Sequence, residues 1–149
     1  DLHYHPADLY RTIACYADPF DFISGEPIVE ILRHGCADDL YRAGEIAPHP
    51  KTPTCALFVL PDAAWSRRVH GVFGNELARA HRERAHAVLV THADGYAVSV
   101  RAPMSAPQGA GKLCLQFESG GGREGAGGIN HLPGERLDAF IDAFRSAWI

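Results

Sequence analysis

Ala87-Val-Leu-Val-Thr-His-Ala-Asp-Gly-Tyr-Ala-Val-Ser-Val-Arg101 is the stretch that decides the fold. Ala87–Val90 is a short aliphatic run of strand length. In His92-Ala-Asp-Gly95 the Asp-Gly pair supplies the backbone geometry of a tight turn. Tyr96–Arg101 then alternates in the manner of a half-buried strand. Upstream, Cys55-Ala-Leu-Phe-Val-Leu60 is continuously apolar, the pattern of a strand buried on both faces, and Pro61-Asp62 end it. A helical stretch follows, with Leu77 and Ala78 near its middle and Arg79 to Arg84 at its end. Downstream, Leu113 and Phe117 mark a helix over 111–117, and Ile129 opens a short strand after a glycine-rich loop. Leu137, Phe140, Ile141, Phe144 and Trp148 form one apolar helical stripe that starts after Pro133-Gly134-Glu135. This order predicts an α/β fold, with a mixed central sheet of about four to five strands flanked by helices.

Residues 1–50 show no strand alternation. A helix after Pro6 puts Leu9, Ile13 and Tyr16 on one face, and a second runs from Pro27 to His34 with Gly35 as its stop. A third, short helix spans about 38–43, and proline-rich Ala47–Pro53 is a connector in which neither helix nor sheet persists. We therefore expect a helical linker over 1–50, extending from a preceding domain, and a main domain over 54–149.

Bulk composition excludes several functions. The 149 residues are 46% hydrophobic and 21% charged with a net charge of −4, so no broad basic field exists to hold long nucleic acid. Any phosphate contact must be local. Cationic charge is almost wholly arginine, since only Lys51 and Lys112 are lysines, and arginine suits bidentate phosphate recognition. Cys15, Cys36, Cys55 and Cys114 form no C-x-x-C pair and read as reduced thiols in a cytoplasmic protein. No apolar run has the roughly 18 residues of a membrane span.

Three segments could carry chemistry. Ser119-Gly-Gly-Gly-Arg-Glu-Gly-Ala-Gly-Gly128 is either a linker or a loop whose backbone approaches a ligand, and the ordered segments on both sides favour the ligand. Its amides could converge on an anion, and Arg123 would add a fork of donors. Val98-Ser-Val-Arg101 ends in an arginine placed either toward a crevice or at a solvated edge. Gly71-Val-Phe-Gly-Asn-Glu-Leu-Ala78 reads as a turn with Asn75 capping a helix, or as a close helix–sheet approach. Asn130 and His131 follow the glycine loop closely enough to reach the same ligand.

Together, in this order and spacing, G-V-F-G-N-E-L-A, V-S-V-R and G-G-G-R-E-G-A-G-G resemble the DHH-associated C-terminal domain of DHH-superfamily phosphoesterases over residues 55–148. That group includes RecJ-type exonucleases, nanoRNases and cyclic dinucleotide phosphodiesterases. The resemblance implies a nucleotide- or phosphate-binding domain, gripping a phosphoester or short oligonucleotide in a cleft. It also implies that this domain faces a separate N-terminal DHH domain of the same polypeptide, which would hold manganese. Carried over by residue, Arg101 matches the strand arginine, Gly120, Gly121 and Gly122 match the glycine motif, and Asn75 lines the same cleft. Where the family usually has histidine after the glycines, this chain has Arg123, which keeps an anionic ligand but leaves the substrate open. No Asp-His-His tripeptide occurs, so no cofactor is expected here and this segment should not hydrolyse anything alone.

Two other readings are carried forward. Arg123-Glu-Gly-Ala-Gly-Gly128 nearly matches the R-x-x-G-x-G turn on which acetyltransferases cradle acyl-CoA, with Ala126 in place of glycine. The terminal helix and the helical first fifty residues could instead form a homodimer contact. His3, His5 and Asp8 are spaced for zinc but read better as a polar terminus, and His34, Asp38 and Asp39 read as a solvated helical face. Ser99 and Ser119 lack the histidine–carboxylate support of a nucleophile.

Overall fold

A computed structural model describes residues 2–148. Its five strands run β1 (Cys55–Leu60), β2 (Ala85–His92), β3 (Gly95–Arg101), β4 (Gly120–Arg123) and β5 (Ala126–Pro133). They lie in the order β1-β2-β3-β5-β4. β1 and β2 are parallel, joined through helix α4 (Ala64–Ala80), and every other pairing is antiparallel. The mixed, helix-flanked sheet expected from the sequence is thus present.

Both faces of the central strands are covered. On one face, α3 (Pro27–Gly44) and α4 pack Ala43, Val69 and Phe73 over Ala56, Phe58, Val88 and Val90. On the other, α5 (Ala110–Cys114) and α6 (Leu137–Ala147) pack Leu113, Phe140 and Phe144 over Leu57, Leu89, Val98, Val100 and Ile129. Phe140 and Phe144 are fully buried, while Leu137, Ile141 and Trp148 pack at the margin, so the predicted stripe is the seam of α6. α4 lies over β2 and β3, and the same face of β5 and β4 remains an open shelf.

Several local expectations are corrected. Gly35 does not stop a helix: α3 runs unbroken from Pro27 to Gly44 and absorbs the separate helix expected at 38–43. A Cβ on Gly35 would sit 2.6 Å from the His3 ring, so glycine is there to admit that ring. His3 Nε2 lies 2.8 Å from Asp39 Oδ2, and Arg68 of α4 grips the same carboxylate through Nε at 2.6 Å and Nη2 at 3.0 Å. Asp39, read as part of a solvated face, is therefore buried, and its partners hold it below the usual carboxylate range. The arginine hydrogen bond is the larger cause, opposed by burial.

Gly71–Asn75 is no turn. It lies in mid-α4, where Val69, Phe73 and Leu77 form the buried stripe that carries the helix through both glycines. The connector is also more ordered than its prolines suggest, since His49 N–H donates to the Leu57 carbonyl and Pro50 O accepts from Leu57 N–H along the edge of β1. An additional short helix, α2 (Pro19–Gly25), follows α1 (Pro6–Ile13), with Asp18 capping its first turn. The helix expected over 111–117 is the shorter α5, followed by turns through Phe117.

Candidate functional site

The register of the sheet assembles the site. His86 pairs with Arg101, Arg101 with Ala126, and Ala126 with Arg123, forming one transverse row. The next row is Val88, Ser99, Gly128 and Gly121. Paired residues point to the same face, and Val88 fixes that face as the one covered by α4. Arg101 and Arg123 thus emerge together, two strands apart, where the helix layer ends.

α4 supplies the opposite wall. Gly74 lets the helix approach, because its missing Cβ points at Arg101 Cγ, Ser99 Oγ and Val88 Cγ2 at 3.8–3.9 Å. Asn75, one residue on, accepts from Arg101 Nε at 2.7 Å. Arg101 Nη1 donates to Ser99 Oγ at 2.9 Å and to the Val100 carbonyl at 3.0 Å. These three contacts fix the orientation of the guanidinium through Nε and Nη1. Burial, and after it the nearby Arg123, pushes the Arg101 guanidinium below its ordinary pKa, although arginine remains charged.

Asn75, Arg79, Arg101 and Arg123 line one cleft of about 380 Å³, together with Met104 and Pro107. Arg79 was not singled out from the sequence. The signal is its i, i+4 spacing from Asn75, legible only once residues 71–79 are read as one helix. No carboxylate lines this cleft among the described residues. Three arginines and no carboxylate line this cleft, an arrangement that favours an anion with more than one acceptor oxygen.

The glycine segment is a hairpin, β4–β5, rather than the irregular loop expected. Its amides run in a ladder, so they do not converge into an anion-binding nest. The three glycines have different tasks. A Cβ on Gly120 would run into the Cys114 carbonyl oxygen, and one on Gly122, at φ 146°, would stand 2.5 Å from the Ala126 carbonyl oxygen. Gly127 faces Cys114 Sγ at 2.7 Å, and Gly111 faces the Gly122 backbone at 2.9 Å. Gly120, Gly127 and Gly111 are required by the close packing of α5 on the hairpin, and Gly122 by its positive φ and its cross-strand neighbours in β5. Gly121 alone of the motif looks into open space, with nothing within 4 Å. With Ser119, Gly120, Gly122, Gly128 and Asn130 it lines a second hollow of about 370 Å³.

His131 lines neither hollow; its ring stands 3.8 Å from Asp94, and its backbone N–H donates to Ser119 Oγ at 3.0 Å. Arg123–Gly128 joins two strands, so it does not offer the strand-to-helix turn of an acyl-CoA cradle. Among the described residues, no cluster of three or more histidine, cysteine or carboxylate side chains could hold a metal ion.

No protein-family model matches the chain, and no curated protein sequence matches it. Solved structures do match. A pGpG-specific phosphodiesterase, PggH from Vibrio cholerae, superposes with a TM-score of 0.63 over 99% of this chain at 14% identity. A DHH domain from a member of the s1p family of ribosomal proteins gives 0.56 over 84% at 13% identity. The chain has the fold of a DHH-associated domain. An exopolyphosphatase-related protein from Bacteroides fragilis gives 0.52 over 97% at 15% identity. The chain spans about half or less of each of these proteins, 53%, 33% and 38% in the order given. The DHH-associated fold accommodates Arg123 on the outermost strand, facing the same cleft as the strand arginine, Arg101.

Proposed function

We propose that this chain is the substrate-gripping part of a DHH-type phosphoesterase. The cleft between α4 and the β4–β5 hairpin holds the phosphate of a nucleotide, short oligonucleotide or other phosphoester. The observation that carries this reading is the row Arg101–Ala126–Arg123 with Arg79 opposite and no carboxylate between them. Gly121 and Gly128 form a flat floor beside that row, free of side chains, on which a sugar or base can lie. Hydrolysis belongs to a metal-dependent DHH domain of the same polypeptide, with manganese held there and not by this segment.

Binding by this chain alone tests the reading. Calorimetric titration with mono- and dinucleotides should give saturable binding that Arg101→Ala weakens about 10- to 100-fold, the loss of one charge-assisted contact worth roughly 1.5–3 kcal/mol. Absence of binding, or binding indifferent to both Arg101→Ala and Arg123→Ala, would sink it.

A second reading concerns the N-terminal helices. Tyr10 of α1 and Phe20 of α2 are 73% and 75% exposed, and Ile13 and Ile23 are exposed beside them. Such a surface suits docking against another domain or a second copy of the chain. Light scattering at increasing concentration separates the two: a dimer supports the copy, a monomer at all concentrations removes it.

A further inference from the structure

One wall of the arginine cleft is a loop. Between β3 and α5 the chain runs through Ala102-Pro-Met-Ser-Ala-Pro-Gln-Gly109, and Met104 and Pro107 of this loop line the cleft with the arginines. The loop is tethered along its length. Ala102 N–H donates to the Gly125 carbonyl at 3.0 Å and Gly109 N–H to Glu124 Oε2 at 3.2 Å, tying both ends to the turn between β4 and β5. In the middle, Ser105 donates to the Arg82 carbonyl just past α4, through its N–H at 3.2 Å and its Oγ at 3.3 Å. The Gln108 carbonyl accepts from the Trp148 indole at 3.1 Å. Gly125 lets the turn approach, since a Cβ there would stand 3.4 Å from Pro107 Cβ.

On this fixed loop Met104 is nonetheless 40% exposed. An exposed apolar side chain by itself needs no explanation. Met104, however, stands inside a cleft whose charged lining is wholly cationic among the described residues. Ala78 and Ala102, the small residues beside it in the wall, leave room between the thioether and the guanidiniums. A ligand that matches both kinds of wall carries anionic oxygens and an apolar face. The polarisable thioether makes favourable contacts with aromatic rings in particular.

The position of the ledge follows from the strands. Ala102 follows Arg101 and Gly125 precedes Ala126, so the ledge continues the sheet past the row Arg101–Ala126–Arg123. Gly121 and Gly128 lie two residues away on the opposite side of that row. Ala126 lines both hollows, of about 380 and 370 Å³, each large enough to take a group of its own.

We propose that Met104 and Pro107 form a seat for a nucleobase of the phosphate ligand, on the far side of the arginine row from the glycine floor. The proposal rests on the phosphate-gripping reading: the arginines hold the phosphate, and Met104 fixes the direction in which an attached nucleoside leaves it.

Met104 is the single methionine of the 149 residues, so a 13C-methyl methionine label reports on the ledge directly, with Met104→Leu assigning the signal. Titration of the whole chain with the dinucleotide 5′-pApA should move the Met104 methyl upfield and saturably, by the ring current of a base lying on it. Ribose 5-phosphate, which keeps sugar and phosphate but has no base, should bind without that upfield shift. Met104→Ala should weaken 5′-pApA about 2- to 10-fold, the range of one sulfur–aromatic contact, and leave ribose 5-phosphate unchanged. Met104→Leu, of similar volume, should stay close to the parent. If 5′-pApA binds in a manner sensitive to Arg101→Ala but leaves the methyl in place, or binds Met104→Ala as tightly as the parent, the ledge is overturned and the phosphate grip stands. Absence of binding, or binding indifferent to Arg101→Ala, overturns both.

Discussion

Replacing Gly120 and Gly121 one at a time by alanine separates packing from ligand contact within a single motif. At Gly120 the added methyl meets the Cys114 carbonyl group, with its carbon at 2.7 Å, and the Phe117 carbonyl oxygen at 2.9 Å. These are backbone atoms of α5 and the turn after it, so relief requires moving α5 off the hairpin. Overpacking of this kind costs about 1–3 kcal/mol, and for a chain of this size each kcal/mol lowers the melting temperature by roughly 2–4 °C. Gly120→Ala should therefore melt about 3–10 °C below the parent. At Gly121 the methyl meets nothing within 4 Å, and no positive φ opposes it. Restricting the unfolded chain should leave Gly121→Ala level with the parent or stabilised by about 0.4–1 kcal/mol. Its effect should fall on nucleotide affinity, because the methyl stands on the open floor beside Arg101 and Arg123. Calorimetry for melting and titration for binding read the two effects independently. Equal destabilisation by both substitutions, or a Gly120→Ala protein as stable as the parent, would refute the division of labour.

Other outcomes follow from the same contacts. Arg123→Ala and Arg79→Ala should each weaken nucleotide binding and reduce its dependence on salt concentration, while leaving urea stability within about 0.5 kcal/mol, as for exposed side chains elsewhere. Asp39→Ala, which removes a buried carboxylate from Arg68 and His3, should cost about 3–5 kcal/mol in urea unfolding. Stability should also fall in acid. His86 titrates at about 4 folded and near 6.5 unfolded, so the unfolded chain binds the extra proton between those values. The His86 contribution is complete above about pH 6.5 and declines by about 2 kcal/mol between pH 7 and pH 5. Urea titrations at both pH values check this, and the difference should shrink in His86→Leu.

The central hairpin was legible because each signal came from adjacent residues: aliphatic runs on either side of Asp94-Gly95 leave one local solution. The β1 run and the α6 stripe were legible for the same reason. The misread segments are those in which glycine serves a distant partner. Gly35 looks like a stop until the His3 ring is placed against it, and Gly74 looks like a turn until Ser99 and Arg101 are seen beneath it. The glycine run after Ser119 reads as a loop because a strand of glycines has no side-chain alternation, and its strand character comes from pairing with β5 and from α5 behind it. Arg101, Asn75 and Arg123 were found from motifs, but their meeting in one cleft depends on cross-strand register, which spacing alone does not carry. Arg79 was read only as part of the charged end of its helix, because its place in the cleft depends on how α4 lies over the sheet. Asp39 was misplaced because helical periodicity cannot reveal a cation arriving from another helix.

The most direct test of the phosphate-gripping account is a 1H–15N titration of the chain with a 5′-phosphorylated dinucleotide. The account predicts saturable shifts of the Gly121 and Gly128 amides and the Arg101 Nε–H, abolished in an Arg101→Ala, Arg123→Ala double variant that melts within a few degrees of the parent. Shifts confined to other surfaces, or unchanged in that folded double variant, would contradict it.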